Sequence, residues 1–254
     1  GDGAWSQTQK LIADQPESDD NFGLSVALDG DTLVVGAPQN GPSAEPSAYV
    51  FSLEQEVWSQ SAKLAAGVGG ATGFGISVSI DGGVIIVGVF REHLGGWESG
   101  AAYIFEGHND AWRQVAKLKA NDAEGGDRFG RSVAVDGVIA VVGAFRDDVL
   151  GTDSGSAYVF SQSGGSWIQT YKLVPADGSQ RDNFGWGVAV DRGVAIVGAH
   201  RDDDAGPNSG SAYAFTGLFR NASEPVAVPV PRLFQFLGLI AMVLSFFRLL
   251  LGDR

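Results

Sequence analysis

Cysteine is missing from all 254 residues, which excludes a disulfide framework and any thiolate metal site while leaving the compartment open. Basic residues are scarce: 17 Lys and Arg stand against 30 Asp and Glu, a formal charge of −13, and no local Lys/Arg cluster offsets it. Such a chain repels a phosphate backbone, so nucleic acid is not an expected partner. Only three histidines occur, His93, His108 and His200, in unequal contexts, and no nucleophile elbow, phosphate loop or zinc pattern accompanies them. The protein is therefore not expected to be an enzyme. No initiator Met or signal peptide precedes Gly1-Asp2-Gly3, so the expectation is an N-terminus that is processed, trimmed or a fragment.

Glycine is abundant instead, at 37 residues, among many Val, Ile, Phe and Tyr. That composition favours short strands joined by tight turns, an all-β chain. A hydrophobic content of 44% is enough for a sizeable core.

Self-similarity organises most of the chain. Trp5, Trp58, Trp112 and Trp167 recur at spacings of 53, 54 and 55, each followed two residues later by Gln and then by Lys-Leu. The same period returns in Phe22-Gly23, Phe74-Gly75, Phe129-Gly130 and Phe184-Gly185, and again in Gly36-Ala37, Gly88-Val89, Gly143-Ala144 and Gly198-Ala199. A third landmark is Ser47–Phe51, Ala101–Phe105, Ser156–Phe160 and Ser211–Phe215. Units of 5–58, 59–112, 113–167 and 168–217 follow.

Each unit resolves into four strands. Ser132 to Val135 alternates, Asp136-Gly137 predicts a two-residue hairpin turn, and Val138 to Val142 is apolar on both faces. Asp29-Gly30 and Asp81-Gly82 repeat the turn, and Asp191-Arg192-Gly193 is expected to carry one extra turn residue. The strands at Leu33–Val35, Val84–Val87 and Val194–Val197 should be buried on both sides. Polar alternate positions make the Trp-x-Gln-x-x-Lys-Leu segment an outer strand. Four strands in about 50 residues is the period of a propeller blade.

These landmarks resemble the FG-GAP repeat family, the blade unit of integrin α propellers and of many bacterial surface proteins. The resemblance implies a β-propeller of four-stranded antiparallel blades serving binding or adhesion at a cell surface. The partner is expected to be a protein or glycan, with a display domain of the cell envelope that has no dedicated ligand as the alternative. The repeated Phe reads as a buried wedge contributing about 2–3 kcal/mol per blade, and the following Gly marks a close approach of strands. Opening on an outer-type strand at Trp5 and closing on a third-type strand at Phe215 leaves a closed four-bladed ring open as one arrangement. The likeness of Gly1 to Ala4 to the interior linkers favours further blades upstream.

Integrin-type calcium loops between the Phe-Gly and Gly-Ala elements are absent, since that interval holds only the hairpin. Acidic residues recur later, as Asp147, Asp148 and Asp153, and as Asp202, Asp203 and Asp204 with Asn208. Clustered carboxylates on a Gly-bearing loop suit a Ca²⁺ ion, so these positions are the metal-site candidates, with a solvated acidic turn as the other reading. Asp14 with Asp20, Asp122 with Asp127 and Asp177 with Asp182 straddle the turn before Phe-Gly and are expected to stabilise it.

Beyond Phe215 the repeat stops. Residues 218–232 form a linker containing Val228-Pro229-Val230-Pro231, and residues 233–254 form an apolar helix with a basic end. Leu233–Leu251 would rise about 28 Å as a helix, enough to reach across a hydrocarbon core. The tail resembles bacterial C-terminal sorting signals of the PEP type, although its Pro-rich stretch lacks the glutamate. An uncleaved tail anchor and a helix packed on the propeller are the alternatives. The first two imply a propeller held outside the cytoplasm by a membrane segment at 233–251. The Asn221-Ala222-Ser223 sequon would matter only in a eukaryotic secretory context.

Overall fold

The computed structural model describes residues 5–39, 45–67, 72–93 and 96–217. The expected linker and apolar helix at 218–254 lie outside them. Fifteen strands make up the described chain, and no helix occurs among the described residues.

The strands form four antiparallel sheets in chain order. The first joins β1 (Ser25–Asp29), β2 (Thr32–Ala37), β3 (Ser47–Glu54) and β4 (Val57–Leu64). The second joins β5 (Ser77–Asp81), β6 (Val84–Val89), β7 (Ala101–Glu106) and β8 (Arg113–Leu118). The third joins β9 (Phe129–Asp136), β10 (Ile139–Ala144), β11 (Ser156–Ser163) and β12 (Ser166–Leu173). The fourth has only β13 (Phe184–Asp191), β14 (Val194–Ala199) and β15 (Ser211–Thr216). Each of the first three sheets thus ends on the strand at or just after the repeated Trp, so these sheets are shifted by one strand against the sequence units.

Two expectations are corrected. Trp5 to Ala13 forms no strand, because a strand needs a ladder partner and, among the described residues, no third-type strand lies beside them. The fourth hairpin has no extra residue: Arg192-Gly193 turns as Gly30-Asp31, Gly82-Gly83 and Gly137-Val138 do, one position later than the Asp-Gly reading placed the turn. Arg192 takes the left-handed φ of 48° that glycine supplies at the other three.

Why the sheets stack is visible in the two repeated glycines. Gly75, Gly130 and Gly185 have φ of 88–92°, and their carbonyls press on Gly36, Gly88 and Gly143 of the preceding sheet. A Cβ on those three partners would lie 1.9–2.0 Å from the carbonyl oxygen, which no side chain can occupy. The Phe-Gly and Gly-Ala elements are therefore two halves of one contact between neighbouring sheets. The hydroxyls of Ser25, Ser77 and Ser132 donate to the same carbonyls at 2.8–3.0 Å. At the opposite end, Asp29, Asp81 and Asp136 accept from the backbone N–H of Gly82, Gly137 and Arg192 in the next hairpin.

Between the sheets lie apolar clusters centred on the wedge. Phe74, Phe129 and Phe184 are at most 1% exposed and pack on Tyr and Phe of their own third strand, as Phe129 meets Tyr158 in a tilted pair at 5.5 Å and Phe160 edge-on at 5.9 Å. Strands β6 and β10 are buried on both faces as expected, but β14 alternates: Val194 and Ile196 are exposed because no sheet of the described residues covers that side.

The loop end of the third and fourth repeats as candidate functional site

Because every hairpin turn falls at one end of its sheet, the longer loops gather at the other. Three of them are set by the turn aspartates. Asp20, Asp127 and Asp182 each accept from the backbone N–H three residues upstream, of Glu17, Glu124 and Ser179, at 2.6–2.7 Å. The expected turn stabilisation is thus present at these positions. Burial, with the Asp147 carboxylate adding to it and the Glu124 N–H opposing it, pushes Asp127 up to about 6.

The acidic candidates divide by role. Asp147 is buried, accepting from Ser156 Oγ and Tyr158 Oη at 2.6 Å and pairing with Lys172 Nζ at 2.7 Å. Burial and that carboxylate raise the Tyr158 phenol above its ordinary range. Lys172 also pairs with Asp122 at 2.6 Å; the two carboxylates outweigh burial and raise the ammonium, and Lys172 in turn lowers Asp122. The second repeat builds the same unit from Glu92, Tyr103 and Lys117. In the fourth, Asp202 is buried and accepts from Tyr213, which holds its carboxyl low, but among the described residues no lysine completes the group. Asp147 and Asp202 therefore tie the second-strand loop to the third strand.

The remaining candidates are more open. Asp148 accepts from the Asp153 N–H at 2.7 Å, and Asp153 faces Arg146 at 3.8 Å. Asp203 and Asp204 are exposed, and the Asp202 carboxylate raises Asp204. Among the described residues, no three His, Cys, Asp or Glu side chains converge as a metal-ion group.

Two features lie where single-residue reading did not look. An open pocket of about 630 Å³ spans the loops of the third and fourth repeats. Gln180, Arg181, Asp182, Arg201, Asp203 and Asn208 form its polar wall, and Leu150 and Pro207 its apolar edge. Beside it runs a row of rings and guanidinium groups. Arg128 lies between Phe90 (5.7 Å) and Phe145 (6.0 Å), Phe145 meets Trp186 at 4.7 Å, and Trp186 meets His200 at 4.3 Å with Arg131 over its face at 4.6 Å. Phe90, Phe145 and His200 share one repeat position, two residues after the second-strand glycine, and that recurrence was the available signal. Burial and the nearby Arg201 and Arg131 lower His200.

No nucleophile paired with a base appears in the pocket wall. Its guanidinium, amide and carboxylate groups can bind carboxylates and hydroxyls, and the rings beside them offer flat apolar faces.

No curated protein matches the chain. A model of the FG-GAP repeat matches residues 5–51, 58–105, 112–160 and 167–215. With four matched repeats, the landmark glycines in contact and the sheets they join, the chain belongs to the FG-GAP repeat family.

Proposed function

We propose that this chain is a non-catalytic binding module displayed at a cell surface, with the loop end of its third and fourth repeats as the recognition face. The observation that carries the reading is the pocket of about 630 Å³ shared by two repeats, with Arg181 and Arg201 in a wall of hydrogen-bonding groups. Two guanidinium groups in a chain of net charge −13 select an acidic or hydroxyl-rich ligand, such as a uronic or sialic glycan or an acidic peptide segment. Residues 233–251 would hold the module at the membrane, on the argument of their length and hydropathy.

An array of acidic glycans and peptides probed with the full chain tests this. Retention on an acidic ligand, lost in the Arg181→Ala/Arg201→Ala double variant, supports the reading. No retention on any acidic ligand rejects it and favours a display domain. Cation dependence is a second reading, supported by the Asp202 carboxylate raising Asp204 and by burial together with the Asp202, Asp203 and Asp204 carboxylates raising Asp182 in the pocket wall, a crowding that a Ca²⁺ ion would relieve. Calorimetry at millimolar Ca²⁺ decides it, and no heat together with no thermal shift removes it.

A further inference from the structure

The arginines of this acidic chain are scattered along the sequence but gathered in the fold. Eight fall among the described residues, and six of them, Arg91, Arg128, Arg131, Arg146, Arg181 and Arg201, stand at the loop end of the second to fourth repeats. Arg113 and Arg192 lie at the hairpin end. Arg91, Arg146 and Arg201 share one place in the repeat, between the ring residue Phe90, Phe145 or His200 and the buried acid Glu92, Asp147 or Asp202. The acid accepts from the tyrosine of the third strand. The neighbouring guanidinium stays outside over the ring, 5.0 Å from Phe90 for Arg91 and 5.6 Å from Phe145 for Arg146. Each of these loops thus turns its first carboxylate inward and its cation outward.

The third repeat adds two guanidinium groups that the fold does not ask for. Arg128 holds the position of Asn21, Gly73 and Asn183, where φ is 53–88°, and itself takes 56°, a backbone that favours Gly or Asn over Arg. Arg131 holds the position of Leu24, Ile76 and Trp186, none of them charged. Arg128 donates to Glu98 Oε2 at 2.8 and 3.1 Å, Arg91 faces the same Glu98 at 3.8 Å, and Arg146 faces Asp153 at 3.8 Å. Four guanidinium groups therefore share two carboxylates. Arg131 is the one left over: half-buried on the face of Trp186 at 4.6 Å, it makes no side-chain hydrogen bond or ion pair among the described residues. A cation held partly out of water without an acceptor is costly, and its N–H donors remain for an anion from outside.

Resting on the recognition face described above, we infer that the pocket and this row form one elongated site for an anionic polysaccharide with spaced carboxylates. Arg181 and Arg201 hold one acidic sugar in the pocket, and Arg91, Arg131 and Arg146 hold others along the row. The two parts meet at the fourth repeat, because Arg201 lines the pocket while both it and Arg131 act on the His200 imidazole. Each guanidinium matches a carboxylate with paired N–H donors. A peptide is the poorer fit: this end presents loops rather than a free strand edge, so an extended main chain finds no ladder to join. Nucleic acid is poorer still. The exposed carboxylates of Asp148, Asp203 and Asp204 on the same loops repel a backbone with one charge in about 1.7 Å of duplex, yet they accept hydroxyls from the sugar rings that separate the acids of a polysaccharide.

The test uses the full chain in a mild detergent, titrated with polygalacturonate, alginate, galacturonic acid, polyglutamate and single-stranded DNA at one salt concentration. At least one of the two polysaccharides should bind at least tenfold more tightly than galacturonic acid, since several subsites act together, and at least tenfold more tightly than polyglutamate or DNA. Modification of the native protein by phenylglyoxal, mapped by mass spectrometry with and without the bound polysaccharide, locates the contact. Arg91, Arg131, Arg146 and Arg181 should be protected at least fivefold, with Arg113 and Arg192 unprotected. Arg131→Gln should weaken binding of that polysaccharide at least fivefold. Protection of Arg181 without the row overturns the inference and leaves the pocket reading standing. Polyglutamate or DNA bound as tightly as the polysaccharides overturns it in favour of a peptide or of unselective charge attraction. Neither polysaccharide bound, with galacturonic acid still retained, overturns the elongated site alone; no acid retained at all overturns the pocket reading with it.

Discussion

Replacing Gly130 by alanine should damage the protein far more than the addition of one methyl group suggests. At φ of +88° the residue sits in the left-handed region, where an added side chain costs about 1–2 kcal/mol through local strain alone. The new Cβ would also stand 2.1 Å from the Ala101 carbonyl oxygen and 2.9 Å from the Val89 nitrogen, both rigid backbone atoms of the preceding sheet. Relief requires β9 to retreat by about an ångström, which breaks the Ser77 hydroxyl bond to the Gly130 carbonyl at about 1 kcal/mol. Retreat also loosens the cluster around Phe129, a partial cavity costing about 2 kcal/mol. The sum is about 4–5 kcal/mol. Gly126→Ala is the control, because its φ is +101° with nothing within 4 Å of an added Cβ, and only the strain of about 1–2 kcal/mol remains. Equilibrium urea unfolding followed by tryptophan fluorescence compares the two. If both variants lose the same stability to within about 1 kcal/mol, the contact between sheets does not carry the energy assigned to it.

Phe129→Ala should cost about 3–5 kcal/mol by the same measurement, whereas Lys119→Ala at an exposed position should stay within about 0.5 kcal/mol; equal small losses would refute the wedge role. Asp127 holds its proton more tightly folded than unfolded, so its contribution is present below pH 4 and is lost as pH rises toward 6. The stability of the native chain should accordingly fall relative to Asp127→Asn between pH 4 and 6, and parallel unfolding curves across that window would contradict the assignment. Tyr158→Phe should destabilise by about 1–3 kcal/mol, since a buried Asp147 loses a donor, with thermal unfolding as the readout. Deleting Leu233–Arg254 should move the protein from membranes to the soluble fraction with circular dichroism of the repeats unchanged, and continued membrane partitioning would reject the anchor.

Local patterns carried most of the fold. Alternation and Asp-Gly marked the hairpins, and the recurrence of Phe and Trp marked the wedge and the outer strand, because each reports on neighbours within one sheet. Contacts between sheets were less legible. That Gly75 and Gly36 touch requires knowing which sheet faces which, and a repeat of about 50 residues presents both halves of the interface in every copy. The acidic candidates show the same limit. Read along the chain, Asp147 and Asp148 are adjacent carboxylates; in the fold one is buried under Tyr158 and the other is exposed. A spacing of 11 residues shared by Glu92–Tyr103, Asp147–Tyr158 and Asp202–Tyr213 held that information. The pocket had no such signature, since its wall draws on three loops that are separate in sequence.

The glycine contact between sheets also bears on how such chains change length. Every repeat carries the Phe-Gly half and the second-strand glycine half of the contact in the same order, so duplicating one of the first three units rejoins a second-strand glycine to a Phe-Gly half without a mismatch. Stability then scales as a sum over like junctions rather than depending on a unique arrangement. A chain with residues 59–112 duplicated in tandem should fold with one more sheet, and gene-level gain or loss of repeats becomes a tolerated way to vary the span over which the loop ends are presented.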